Sequence, residues 1–309
     1  MRTAFIRELT RICENDDRVV LITADMGFSV FDAFAEQFPD RFFNVGIAES
    51  TMVGVAAGLA MQGYKPVIYS IVPFATMRCF EQLRIDVCYQ NLPVIVVGVG
   101  GGLSYGALGS THHAIEDVSI MRAVPNMSVY VPGDPLETVA VLRLALEYGR
   151  PAYIRLGKNN EPQVHSEAIN AEDGMIALRR GVTIAVVCSG PLIAQALQLS
   201  DRLEAIGKSV SVFSMLRIKP LPVETLKEVC ISHTVLVTIE EATLVGGASA
   251  AIAEWILDSA VHPVPRLIRF GIPDAFPGAY GSHQFLLHLF GLDADSMFTK
   301  LAPILEGAV

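Results

Sequence analysis

Cysteine is sparse and unpaired in this 309-residue sequence. Cys13, Cys79, Cys88, Cys188 and Cys230 are scattered, odd in number and never at Cys-x-x-Cys spacing. That pattern argues against a zinc ribbon or a disulfide framework and fits reduced, buried thiols. Charge is scarce too: charged residues make up 18%, the net charge is −9, and no run of Lys or Arg occurs. Nucleic acid and anionic membrane surfaces are therefore not expected as partners. No uninterrupted apolar stretch reaches the length of a membrane span, and the opening Met1-Arg-Thr-Ala-Phe-Ile-Arg-Glu8 has no signal-peptide core. The expected location is cytoplasmic.

What the sequence does have is apolar residues, at 51%. Apolar runs alternate with helix-period segments from end to end, the signature of parallel βαβ architecture. The expectation is an α/β chain of two domains, each a mainly parallel sheet flanked by helices, over residues 1–165 and 174–309. Strands are expected at Val19–Thr23, Arg41–Val45, Pro66–Tyr69, Val94–Val99, Ser128–Val131 and Ala152–Leu156. One helix is expected over Thr76–Tyr89. Lys158–Asp173 has no apolar period and reads as a linker. Further strands are expected at Val182–Ser189, Val210–Ser214, Thr234–Ile239 and Val264–Phe270.

A Gly-rich turn follows the apolar run Pro93–Gly98, the place where open α/β sheets bind ligands. Its glycines invite a dinucleotide reading, but the spacing fails. Counting from Gly98 or Gly100, the sixth position is Leu103 or Tyr105, so no Gly-x-Gly-x-x-Gly is present. The turn runs on into Gly106-Ala-Leu-Gly-Ser-Thr-His-His-Ala-Ile-Glu-Asp117. Upstream stands Glu49 in Asn44-Val-Gly-Ile-Ala-Glu-Ser50, at an expected strand-to-helix junction followed by small residues.

These segments resemble the transketolase family of thiamin diphosphate enzymes. Gly106, Gly109, Thr111, His112, Ala114, Ile115, Glu116, Ser119 and Arg122 fall where the family pattern has them, and Pro125-Asn126-Met127 is a further hallmark. The resemblance implies roles. Glu49 would hydrogen-bond the ring nitrogen of the cofactor's aminopyrimidine, and Phe74 would stack on that ring. Ile71 and Met77 match neighbouring positions that are aromatic in ordinary transketolases, and Asp25 an Asp that orients the cofactor. His112 matches a His at the donor carbonyl, and Ser29 a phosphate-contacting Ser. His113 stands where the family usually has Gln.

Three departures concern the donor. Leu108 replaces an Asp that bonds a sugar hydroxyl, Gly100 stands at the expected place of a phosphate-binding His, and Lys158 replaces a phosphate-binding Arg, with Arg155 nearby. They imply a donor other than an ordinary phosphorylated ketose: a sugar with another terminal group, or a 2-oxo acid. The family's Mg²⁺-binding Gly-Asp-Gly segment does not occur, so no metal ligand is expected on this chain. The resemblance thus implies one subunit of a split enzyme, with an N-terminal transketolase-like partner carrying the diphosphate-binding domain and Mg²⁺ ligands, in an α2β2 assembly. Its expected activity is two-carbon transfer to an aldehyde or ketone. The alternatives are the β subunit of a 2-oxo-acid dehydrogenase or deoxyxylulose-phosphate-synthase-like enzyme, and a non-catalytic assembly subunit.

Overall fold

In a computed structural model, residues 1–27, 29–158, 160–259 and 261–306 are described. They form two sheets. Seven strands make the first, in the order β10-β5-β6-β4-β3-β1-β2. These are β1 (Val19–Thr23), β2 (Phe42–Asn44), β3 (Lys65–Ile71), β4 (Ile95–Val99), β5 (Ser128–Tyr130), β6 (Ala152–Leu156) and β10 (Arg217–Lys219). Five make the second, in the order β12-β11-β8-β9-β7. These are β7 (Met175–Arg179), β8 (Ile184–Ser189), β9 (Val210–Met215), β11 (Val235–Thr243) and β12 (Arg266–Ile272). Each sheet is parallel apart from one antiparallel edge strand, β10 or β7.

The central strands are buried on both faces, which is why they read as continuous apolar runs. Every residue of β1, β4 and β6 is buried. One core, built around Ile22, Met52, Ile68 and Val96, lies on one face of the first sheet. A second, around Phe5, Tyr69, Val97 and Tyr130, lies on the other. Local signals fix the helices between strands. The helix Pro135–Tyr148 starts with Asp134 accepting from the Glu137 N–H, has Pro at its first position, and ends on a left-handed Gly149.

Three features depart from the sequence reading. Residues 160–173 carry no helix or strand, as expected of the linker, but they lead into an unforeseen edge strand, β7. Strand β10 comes from the second half of the chain yet completes the first sheet against β5. Finally, the expected helix over Thr76–Tyr89 is broken. A helix over Val72–Thr76 ends in a turn, a short one over Phe80–Gln82 follows, and the chain then widens to π geometry over Leu83–Tyr89. The buried Cys79 thiol donates back to the carbonyls of Phe74 and Ala75 at the break. Such breaks cluster at functional sites, and this one carries Phe74, Met77 and Arg78. No described helix is long and apolar enough to cross a membrane.

Candidate active site

The site is built at the C-terminal ends of β1, β2, β3, β4 and β6. Glu49 is the first residue of the helix Glu49–Met61 and is only 3% exposed. Burial there comes from the small residues that follow: Val53, Ala56, Ala57 and Ala60 lie against the sheet. A cationic partner reaches the carboxylate. Arg78 donates from Nη1 to Glu49 Oε2 at 2.8 Å. The same guanidinium lies over the Phe74 ring, its Cζ 4.2 Å from the ring centroid.

On another side of Phe74 stands His112, with ring centroids 5.3 Å apart and planes at 70°. Its Nδ1 is 2.9 Å from Thr111 Oγ1. Burial lowers the His112 pKa, and the neighbouring His113 and Lys158 lower it further, which favours the neutral imidazole. Tyr105 also approaches His112, at 5.8 Å between centroids, and carries Lys158 over its ring at 3.9 Å. Glu49, Phe74, His112 and Lys158 are thus linked contact by contact through Arg78 and Tyr105. Neither of those two linkers was identified from sequence. The signal for Arg78 was its position one helical turn beyond Phe74, and for Tyr105 its place inside the Gly-rich turn.

The remaining candidates are dispersed. Ile71 is buried at the end of β3, and Met77 is exposed. Asp25 and Ser29 are exposed on the loop after β1, both with left-handed backbone (φ 52° and 59°). For non-glycine residues that conformation costs of order 1–3 kcal/mol and persists where surroundings impose it. The Asn44 side chain braces it, accepting from the Asp25 N–H at 2.9 Å. Leu108 is 52% exposed, on the short turn Gly106–Leu108. His113 is buried, its Nε2 3.3 Å from the Gly106 carbonyl and its Nδ1 without a partner among the described residues.

Arg155 stands apart from the substrate-facing group to which the sequence reading assigned it. Only 3% exposed, it pairs with Asp117 at 2.9 Å and donates from Nη2 to the carbonyls of Ala114 and Glu241. Its charge is held inside the fold, pinning the Gly-rich turn from below. Glu241 pins the same turn from the second sheet: its Oε1 accepts from the Leu103 N–H at 2.6 Å and lies 2.7 Å from His283 Nε2. Gly102, at φ +65°, allows that approach, since a Cβ there would fall 2.5 Å from the Glu241 carboxyl. Gly100 is similarly constrained: at φ +80°, a Cβ would run into the Tyr105 ring. The turn therefore has no room for a His at position 100.

One cluster has the composition of a metal site: Asp134, Glu137 and His165. Its chemistry is already satisfied. The Asp134 oxygens accept from the N–H groups of Glu137, Val164 and His165, while Glu137 accepts from the Gly133 N–H and faces His165 Nε2. It is a cap that ties the chain beyond Lys158 to the helix Pro135–Tyr148.

Comparison with known proteins gives concordant matches over both halves. Residues 1–163 match the transketolase pyrimidine-binding domain, and residues 174–297 the transketolase C-terminal domain. An apulose-4-phosphate transketolase subunit of Actinobacillus succinogenes is 34% identical over 293 residues, covering 94% of this chain and 93% of that one. The 6-deoxy-6-sulfo-D-fructose transketolase subunit of a Clostridium species is 35% identical over 308 residues, covering 99% and 94%. Among solved structures, a split-gene transketolase described as an inactive β4 tetramer superposes with a TM-score of 0.86. It is 35% identical, and the match covers 96% of this chain and 95% of that one.

Proposed function

The chain belongs to the transketolase family, and from that premise we propose that it is the pyrimidine-binding subunit of a two-chain thiamin diphosphate enzyme that moves two-carbon units. The observation that carries the reading is the cradle of Glu49 and Phe74, with His112 at its edge. A planar cation already stacks on Phe74 while donating to Glu49, so the cradle fits a flat, nitrogen-bearing ring of the same donor character. When bound, thiamin diphosphate supplies the thiazolium that stabilises a carbanion.

The chain's own residues do the rest. Glu49 holds a proton-sharing hydrogen bond to a pyrimidine nitrogen, a task that needs a carboxyl because the proton must move. Phe74 provides the stacking platform. His112, whose pKa burial, His113 and Lys158 all lower, accepts and returns a proton at the donor carbonyl. Ile71 and Met77 flank Phe74 in sequence, and the family resemblance assigns them, with Asp25, to the pyrimidine end.

The donor differs from an ordinary sugar phosphate. Leu108 offers no hydroxyl partner, Gly100 admits no side chain, and Lys158 leans on Tyr105 in place of a guanidinium fork. Two similar relatives are named for apulose 4-phosphate and for 6-deoxy-6-sulfo-D-fructose, which favours a modified ketose.

A partner chain completes the site, supplying the diphosphate domain and the Mg²⁺ ligands in an α2β2 assembly. Ile47, two residues before Glu49, is 79% exposed, and the helix Glu49–Met61 turns Val55 and Met61 outward, Met61 at 68%. Large apolar side chains left exposed along one helix and just before it support an interaction surface on that side. The split-gene relative, known as an inactive β4 tetramer, gives a precedent for self-association without activity.

The test is reconstitution with a diphosphate-domain chain and a panel of ketose donors. Glu49→Gln should cut turnover by about 10²–10⁴-fold while leaving assembly intact. Undiminished turnover would remove Glu49 from the mechanism. Full activity with xylulose 5-phosphate and none with modified donors would overturn the donor assignment.

A further inference from the structure

Among the described residues, Arg78 is the one strongly basic group in contact with both Glu49 and Phe74, and neither the family match nor the names of the relatives assigns it a role. Its guanidinium does two things at once. It lies over the Phe74 ring at 4.2 Å and donates to the buried Glu49 carboxylate at 2.8 Å. Unlike the ammonium of lysine, a guanidinium is planar and can stack while presenting in-plane N–H donors. That combination, a flat π-facing surface with an edge donor aimed at a carboxylate, is also what a 4-aminopyrimidine in its ring-protonated or imino form presents.

We propose that Arg78 is a resident placeholder for the aminopyrimidine. In the free chain it fills the Phe74–Glu49 cradle, and it swings out when the ring enters. The inference rests on the reading of Glu49 and Phe74 given above.

Three observations support it. Glu49 is 3% exposed and would be a buried, unpaired charge without Arg78, a costly state. Arg78 itself is 47% exposed, so it has a short route into solvent. It also sits on the turn between the helices Val72–Thr76 and Phe80–Gln82, not within a continuous helix. Entry of the ring is then an exchange of one donor for another, and the carboxylate is never left alone. Arg78 is therefore a positioning residue: it keeps the carboxylate in place before loading and sets how strongly the cradle resists occupation.

The experiment uses the full chain and 4-amino-2-methylpyrimidine as the probe, with binding read by isothermal titration and circular dichroism monitoring the fold. Arg78→Ala should bind the probe at least about tenfold more tightly than the unaltered chain. Adding Glu49→Gln to Arg78→Ala should remove that gain, which places the probe in the cradle. Arg78→Met, which keeps the apolar stem, serves if the alanine variant fails to fold, and should behave in the same way. Equal or weaker binding by the folded variants, including no detectable binding by any protein, overturns the placeholder. The site reading fails separately, if Glu49→Gln leaves thiamin diphosphate binding by the two-chain enzyme unchanged.

Discussion

Arg155 and Asp117 form an ion pair at 2.9 Å with side chains 3% and 0% exposed, at the seam where the Gly-rich turn, β6 and β11 meet. Tyr153 adds its hydroxyl to the same carboxylate at 2.6 Å. Burial and the Asp117 charge together push the Tyr153 phenol well up, so it donates at any working pH. Two sequence-distant segments are joined here by charges that water does not reach.

Removing one partner of such a pair strands the other. Arg155→Met should destabilise the chain by about 3–5 kcal/mol, because Asp117 is left uncompensated in the core. Asp117→Asn should act in the same direction. Denaturant unfolding of each variant would measure this. A loss of a few tenths of a kcal/mol for either would show that the pair is not held as described.

Stability should also depend on pH in a defined direction. Burial works against a charged His283, yet the charge of Glu241 and its hydrogen bond raise the His283 pKa overall. The hydrogen bond to Glu137 raises that of His165, outweighing burial. Folded-state values above the ordinary imidazole value of about 6.5 mean that the fold favours the protonated rings. Both contributions are thus fully present below that ordinary value and are lost as pH rises through the raised ones. The melting temperature should fall across that window, and less steeply in His283→Gln. An equal slope in the variant would refute the role given to His283.

The exposed Ile47, two residues before Glu49, should govern assembly and not folding. Ile47 is 79% exposed, so Ile47→Asp should change monomer stability by no more than about 0.5 kcal/mol. It should nonetheless weaken association with the diphosphate-domain chain, as read by light scattering on mixed samples. Unaltered association would place the interface elsewhere.

Much of this was legible in the sequence, because parallel strands buried on both faces must be apolar throughout and turns at their ends must be small and polar. Val19–Thr23 and Ala152–Leu156 appear as expected to the residue, and the Glu49 helix begins at its acid. What was hidden depends on pairing across distance. β10 is three residues long and takes its place only from β5. Arg155 looks like a free cation until Asp117, Ala114 and Glu241 surround it. Arg78 reads as a surface charge on a helix, and only the break after Thr76 turns it toward Glu49.

The most direct measurement is thiamin diphosphate binding, with Mg²⁺, by this chain alone, by a diphosphate-domain partner alone, and by the two mixed. Saturable binding only in the mixture, lost with Glu49→Gln, is the result expected of a cradle shared between chains. Full-strength binding by this chain alone, or binding in the mixture that ignores Glu49, would contradict it.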